Sequence, residues 1–420
     1  MSGSTHEISN SKSGISNARA IAADVLRQFD PERAQAGPVL NRLLNRTDEK
    51  QRATDLVFGT IRNLLAIDAV IAEFSGRRIE RISKALLAVI RVGIYELVYT
   101  PDSRPYAIVN EAVKTIKRTG GRKKTGFVNA VLRQVVRHIT ERQMELTQAK
   151  ATRTLIQSSQ SGCAFDTDFL PDPQTDLASH LSVSFSLPRW LVQAWLADFG
   201  VERTREICFG SNRRPSVYVR VNPLKTTVVA VLEQLTEADL AVKQVPCNCG
   251  MVKIVAPQSV AQLPGFAQGL FTVQDVSASN AVRLLDPQPT WKILDLCAAP
   301  GTKTMQLAEM TQDAEQIVAT DINAKRLGKL DENLTRLGAK SVTVVPYAAL
   351  DRQAVGPFDA IVLDVPCSNT GVLARRIEVR FRATRESVKE LAKTQRGLLE
   401  KATSLLKPGG RICYSTCSIQ

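Results

Sequence analysis

At 420 residues, 44% of them hydrophobic, the chain is long enough for two or three domains with separate cores. Its formal net charge of +14 favours a polyanionic partner, and because no apolar run approaches the length of a membrane span, nucleic acid ranks ahead of a lipid surface. The eight cysteines show no paired metal-ligand spacing, the three histidines (His6, His138, His180) are scattered, and the opening MSGSTHEISNSKSG has no apolar signal core. These features argue against a metal site, a disulfide framework or secretion, and for a cytoplasmic setting.

Residues 1–15 read as a disordered tail. From Asn17 to about His138 the pattern is helical: Ile82, Leu86, Val89, Ile90, Gly93 and Leu97 recur at helical spacing, with Arg81, Lys84 and Arg91 on other faces. Pro101 and Pro105 interrupt the pattern, which resumes over 106–118, so residues 16–142 are expected to form an all-α bundle. Within it KTIKRTGGRKK (114–124) gathers charge around a Gly120-Gly121 turn. Lys114, Lys117, Arg118, Arg122, Lys123 and Lys124 are therefore candidate RNA contacts, against the plainer reading of a solvated helix end. Residues 143–182 lose periodicity and fill with Ser, Gln, Thr, Asp and Pro, which predicts a linker.

An amphipathic helix is expected at 187–199, where Trp190, Leu191 and Trp195 fall on or near one face as core residues rather than base-stacking platforms. The alternating SVYVRV (216–221), a helical stretch at 226–240 and strand-like pieces at 241–246 and 251–255 predict a small α+β domain over 183–268, suited to docking RNA. From 269 onward strands and helices alternate. Strands expected at 292–296, 316–319, 341–345, 360–363 and 411–414 make a doubly wound parallel sheet, which binds ligands beyond the carboxyl ends of its strands.

The stretch WKILDLCAAPGTKT (291–304) organises this last domain. A short strand, a small-residue turn at 298–302 and a helix make a cradle in which Ala298, Ala299 and Gly301 allow close backbone approach. The turn has neither the Walker ending nor the three-glycine dinucleotide spacing, and Asp321 after the next strand suits ribose hydroxyls. An adenosine-containing cofactor without a pyrophosphate fits that combination. Asp364-Val365-Pro366-Cys367-Ser368 and Ser415-Thr416-Cys417-Ser418 follow two neighbouring strands. Two thiols and a carboxylate thus lie where ligands bind, a setting that favours catalysis over the inert packing expected of Cys208 or Cys413.

DLCAAPGTKT, DVPCSNTG and YSTCS, in this order, resemble the motifs of S-adenosylmethionine-dependent RNA cytosine-5 methyltransferases, and LVFGTIRN, VNEAVKTIKR and GFVNAVLRQ are similar to a NusB-like helical RNA-binding domain. Together they resemble the Sun (Fmu) group, which methylates bacterial 16S ribosomal RNA. The resemblance implies a Rossmann-like methyltransferase domain over 269–420 that uses S-adenosylmethionine. Cys417 would add to C6 of the cytosine, Asp364 would hydrogen-bond N3, Lys303 would position that acid, and Cys367 would assist loss of the C5 proton or release of the product. It further implies a cofactor site along Cys297, Ala298, Ala299, Pro300, Gly301 and Lys303 with Asp364, and Asp321 on the ribose. Arg375 and Arg376 fit the basic stretch after the fourth-strand motif, and the target base must leave its stack.

The chain departs from the family pattern in places. Gly301-Thr302-Lys303 stands for Gly-Gly-Lys, Ile377-Glu378 replaces a commoner proline-containing sequence, and Tyr347-Ala348-Ala349 occupies the place of an adenine-contacting aspartate, with Asp351 the nearest acid. The sequence stops at Gln420, so the sheet is expected to lack the family's final hairpin or to have its edge covered otherwise. Alternatives to a ribosomal RNA methyltransferase are an RNA-binding chain that keeps the fold with impaired catalysis, and a methyltransferase acting on transfer RNA or protein.

Overall fold

Helical spacing and strand spacing separate along the chain, and the fold follows them. The computed structural model describes residues 17–33, 35–117, 121–246, 250–255, 260–314, 316–350 and 356–419. Two compact units result, one of residues up to Arg213 together with Val372–Ala383, the other of Arg214–Gly371 with Thr384–Ile419.

The first unit opens with helices α1 (Ala18–Gln28), α2 (Ala36–Leu43), α3 (Lys50–Arg62), α4 (Leu64–Ser75), α5 (Lys84–Tyr99), α6 (Pro105–Lys117) and α7 (Arg122–His138). Asn17 starts α1 by accepting from the Ala20 amide, and Gly76, with φ of 60°, ends α4 in the left-handed region where a side chain is strained. The stripe read from α5 is the centre of the bundle: Val89, Ile90 and Leu97 are buried against α4, α6 and α7. One acid joins that core. Glu96, 1% exposed, is held by Arg19 and Arg52, so its charge is paired rather than stranded.

Residues 143–182, expected as a linker, are folded. Strands β1 (Ile139–Glu145), β2 (Thr154–Ile156) and β3 (Ser161–Phe165) form an antiparallel sheet in the order β1-β3-β2, and Leu155, Cys163, Phe165 and Leu170 enter the helical core. The strands are too short for their alternation to register, and the Ser and Gln residues that suggest a linker sit on the exposed turn at 158–160. Helices α8 (Leu177–Phe185) and α9 (Arg189–Asn212) fall in the same compact unit. Trp195 is fully buried, as expected for a core residue. A later segment returns to the unit: in the short helix Val379–Arg382, Arg380 is 2% exposed and donates to the carbonyls of Arg62, Phe185, Ser186 and Ser211 and to Asn212 Oδ1.

The second unit holds two sheets. Strands β4 (Val217–Val221), β5 (Val242–Gln244), β6 (Met251–Ile254) and β7 (Phe271–Val273) form an antiparallel sheet ordered β5-β6-β4-β7, packed on α10 (Val228–Glu237) through Val219, Val231, Leu235 and Phe271. Pairing of β7 with β4 carries this sheet past residue 268, the expected boundary. The parallel sheet has the order β10-β9-β8-β11-β12, from β8 (Ile293–Asp295), β9 (Ile317–Ala319), β10 (Val342–Val344), β11 (Phe358–Asp364) and β12 (Leu406–Ser415). Helices α11 (Val276–Leu285), α12 (Thr302–Met310), α13 (Leu327–Leu337) and α14 (Arg385–Leu405) accompany it, and Thr384 and Ser387 form a capping box at the start of α14. Ile293, Leu294, Ile317, Val318, Ile361 and Val362 are buried, as a sheet covered on both faces requires.

One ion pair joins the two sheets of this unit. The Arg220 guanidinium on β4 meets the Glu309 carboxylate on α12 at 2.7 and 2.9 Å and donates to the Thr302 carbonyl at 3.2 Å, with both side chains buried. Burial pushes the Glu309 carboxyl above its ordinary range even with the arginine beside it. Removing the cation alone leaves a buried unpaired acid, so Arg220→Met is expected to cost about 3–5 kcal/mol in urea unfolding. The double variant Arg220→Met/Glu309→Leu should recover most of that loss. Equal stabilities for the single and double variants would mean that the pair does not tie the sheets.

Candidate active site

Because β8, β9, β11 and β12 run parallel, their carboxyl ends open on one side of the sheet, and each is followed by a polar loop. After β8 the backbone turns through a cis Ala299–Pro300 bond to Gly301, whose φ of 101° and 2.7 Å clearance from Leu330 Cδ1 exclude a side chain. Ala298 N–H donates to the Thr320 carbonyl, Ala299 N–H to Asp321 Oδ2 and Gly301 N–H to the Ala298 carbonyl, so the loop spends these donors on holding its own shape.

Asp321, 1% exposed, also accepts from the Asn323 amide at 2.9 Å, and Arg326 lies 3.2 Å away with its side chain half exposed. Beside it Ile322 is 44% exposed, an apolar side chain that sequence reasoning passed over. Burial, then Asp295, Asp321 and Asp364, push the Cys297 thiol up to about 12. Tyr347–Ala349 forms a short turn after β10, and Asp351 lies outside the described residues.

The four residues expected to carry chemistry form two adjoining pairs. Lys303, in the first turn of α12, places Nζ 2.7 Å from Asp364 Oδ2, while Ser415 Oγ donates to Asp364 Oδ1 at 2.8 Å. Asp364 and Ser415 are register partners on β11 and β12, so the turns beyond them run side by side. There the sulfurs of Cys367 and Cys417 are 2.9 Å apart. Asn369 completes the arrangement: its Oδ1 accepts from the Cys417 thiol at 3.2 Å and its Nδ2 donates to the Cys367 carbonyl at 2.9 Å. A φ of 60° at Asn369 lies in the left-handed region that asparagine tolerates better than most residues. Gly371 N–H donates to the Cys417 carbonyl at 2.9 Å, and a Cβ at Gly371 would meet that oxygen at 2.7 Å.

The Cys367 thiol is pulled down to about 4, chiefly by the hydrogen bond from Cys417 and then by the Ser418 and Thr416 hydroxyls and the Asn369 amide, against the opposing effect of burial. Sequence spacing identified both cysteines, but it gave no sign of the part played by Asn369.

The basic candidates fall in the first unit. Lys123 and Lys124 are exposed in the first turn of α7, Lys117 and Arg122 line a groove of about 1130 Å³ between α6 and α7, and Lys114 pairs with Glu111 at 2.8 Å. Arg133, Arg137 and Tyr106 line the same groove, and Tyr106 is 78% exposed. Arg118 lies outside the described residues, and Arg375 and Arg376 are exposed near the buried Arg380. The sequence reading assigned Arg380 no place, because nothing local distinguishes an anchoring arginine from a solvated one.

Asp295, at the end of β8, is fully buried. Its Oδ2 accepts from Thr304 Oγ1 at 2.7 Å while Oδ1 has no partner, and burial pushes its carboxyl up to about 7. Since the folded-state value exceeds the ordinary one of 3.8, stability linked to this group is present in acid and lost as pH rises through 7. Asp295→Asn should therefore flatten the fall in melting temperature between pH 5 and pH 8. At pH 8 it should gain on the order of 1 kcal/mol or more over the parent, and an unchanged pH profile would show that Asp295 titrates normally.

Residues 16–137 match the NusB family, 187–261 the ferredoxin-like domain of RsmF/B-like methyltransferases, and 282–420 the family of 16S rRNA methyltransferase RsmB/F. A probable ribosomal RNA small subunit methyltransferase B of Synechocystis is 31% identical over 96% of this chain and 86% of its own length. The ribosomal RNA small subunit methyltransferase B of Yersinia pseudotuberculosis is 33% identical over 96% of this chain and 87% of its own. The crystal structure of PH0851 shares the fold with a TM-score of 0.72 at 24% identity, covering 96% of this chain and 86% of that one. With a helical bundle, a ferredoxin-like sheet and a parallel sheet bearing paired cysteines in one sequence, this chain belongs to the RsmB/F family of 16S rRNA methyltransferases, preceded by a NusB domain.

Proposed function

We propose that the chain transfers a methyl group from S-adenosylmethionine to C5 of a cytosine in small-subunit ribosomal RNA. The observation that carries this reading is the pair of sulfurs 2.9 Å apart beside the Lys303–Asp364 ion pair. C5 of cytosine is too weak a nucleophile to be methylated unaided, and addition of a thiolate at C6 makes it electron-rich. Cys417 adds to C6 as the thiolate, after losing its proton to solvent. Asp364 hydrogen-bonds the N3 edge of the base while Lys303 stabilises the negative charge that develops on the ring. Once C5 carries the methyl group its proton passes to the Cys367 thiolate, and the electron pair it leaves behind forms the C5–C6 double bond and expels the Cys417 thiolate. Cys367 is placed to assist that release.

The residues beyond β8 and β9 fit the cofactor. A buried acid without a partner for one oxygen (Asp295), a turn that admits only glycine at 301, and Asp321 beside the exposed Ile322 suit a nucleoside with ribose hydroxyls and an apolar base face. S-adenosylmethionine, when bound, supplies an electrophilic methyl group. The 297–303 loop would hold it and Asp321 would accept from its ribose once Arg326 gives way. RNA docking falls to the first unit. Arg122, Lys123 and Lys124 crowd the positive end of a 17-residue helix with no acid in its first turn, an arrangement unfavourable by itself and favourable against phosphates.

Cys417→Ala is expected to abolish transfer of labelled methyl groups to unmodified 16S rRNA while leaving RNA affinity within about twofold of the parent, as expected where phosphate contacts dominate binding. Cys367→Ala should accumulate a covalent protein–RNA adduct resistant to denaturant. Label in cytosine with Cys417→Ala, or none with the parent protein, would refute the assignment. Neutralising Arg122, Lys123 and Lys124 together should flatten the salt dependence of RNA binding by about two to three units of slope, read by anisotropy across salt concentrations.

A further inference from the structure

Two thiols brought into contact for catalysis are also placed to react with each other. The sulfurs of Cys367 and Cys417, 2.9 Å apart, are within about 1 Å of the length of a disulfide bond. Closing that gap requires no movement of distant segments, because the backbone already ties the two turns together. The Val365 amide donates to the Ser415 carbonyl at 3.1 Å, the Gly371 amide donates to the Cys417 carbonyl at 2.9 Å, and the Ser368 and Ser418 hydroxyls meet at 2.6 Å. Both cysteines are partly exposed, so a small oxidant reaches them from solvent.

The hydrogen bond from Cys417, together with the Ser418 and Thr416 hydroxyls, holds Cys367 as a thiolate near neutral pH. A thiolate is the form that attacks a peroxide, and a neighbouring thiol is what turns the product into a disulfide. Burial sets the other described cysteines apart. It pushes the Cys163, Cys208 and Cys297 thiols up to about 12 and raises that of Cys413, which donates to the Ala281 carbonyl at 3.1 Å. Cys247 and Cys249 lie outside the described residues.

We propose that Cys367 and Cys417 form an oxidative modification site, at which a peroxide converts the pair into a reversible disulfide that switches methyl transfer off. The inference rests on the methyl-transfer reading of the same two residues. The Cys367 thiolate attacks one peroxide oxygen, the O–O bond breaks, and Cys367 sulfenic acid and a hydroxide ion are left. The Cys417 thiolate then attacks the Cys367 sulfur, the S–O bond breaks and a second hydroxide departs. Both hydroxides become water with the protons that the two thiols gave up, so the sulfurs lose two electrons and the peroxide gains them. The disulfide removes the group that adds to C6 and the acceptor of the C5 proton together. Exchange with a small thiol reductant returns both. Cys417 thereby also keeps Cys367 from advancing to sulfinic acid, a form that thiols do not reduce.

The test uses the full chain and hydrogen peroxide. After treatment the remaining thiols are alkylated and an unreduced digest is read by mass spectrometry. The peptide carrying Cys367 should be joined to the one carrying Cys417, and methyl transfer to 16S rRNA should fall in proportion to the joined fraction. Dithiothreitol should restore the transfer. Cys413 lies close to Cys417 in sequence, and Cys413→Ser should leave both the joining and the transfer unchanged. In Cys417→Ala the joining should be lost and Cys367 recovered as sulfinic acid that dithiothreitol does not reverse.

Recovery of Cys367 and Cys417 fully alkylated after peroxide, or a bond from Cys367 to any other cysteine, would overturn the proposal. The two readings fail separately. Methylation by the reduced parent without joining after peroxide sinks only the modification site, and joining in a parent that methylates nothing when reduced sinks only the chemistry.

Discussion

The parallel pairing of β11 with β12 is the constraint on which the active site depends. Asp364 and Ser415 are aligned by that register, and the two polar turns leave the sheet together. Cys367 and Cys417 are 50 residues apart in sequence, yet their sulfurs approach to 2.9 Å because the strands carrying them are hydrogen-bonded neighbours. A slip of register by one residue would turn the side chains to the opposite face and separate the thiols. Further ties hold the turns once they leave the sheet: Asn369 to Cys417, Ser368 to Ser418, and the Gly371 amide to the Cys417 carbonyl.

Charge is arranged differently in the two units. The second unit pairs its ionic groups: Lys303 with the part-exposed Asp364, Arg220 with Glu309 in a buried pair, and the half-exposed Arg326 against the buried Asp321. These pairs fix geometry, at the cost of desolvation that their mutual attraction offsets. Among the basic residues of the first unit, Arg380 and Arg142 are spent on backbone carbonyls as structural clamps, while Arg122, Lys123 and Lys124 stand exposed at a helix start. The formal surplus of +14 therefore contains residues with unlike tasks, and composition counts them alike.

Much of the fold was legible in the pattern of residues. Strands at 293–295, 317–319 and 342–344 fall inside the expected runs, and the α5 stripe packs as its spacing implies. The supposed linker failed because the apolar residues that make it part of the core, Leu155, Cys163 and Phe165, are few and sit on strands of three to five residues. Short strands give periodicity too little length to register, and a polar turn between them dominates the composition.

The sequence by itself determined which chemical groups are present and in what order: the small-residue turn at 298–301, the acid at 321, and an acid and two thiols in polar turns after apolar strands. Those properties are local, since they follow from side-chain chemistry and from spacing along a single segment. Only the tertiary structure decided that the turn's amides are spent on the protein itself, that Asn369 reaches both cysteines, that Arg380 is an anchor, and that Tyr99 has no partner for its hydroxyl. Each of those facts concerns a hydrogen bond, made or missing, that depends on which distant segments fold against one another, and no pattern within one stretch of chain encodes it.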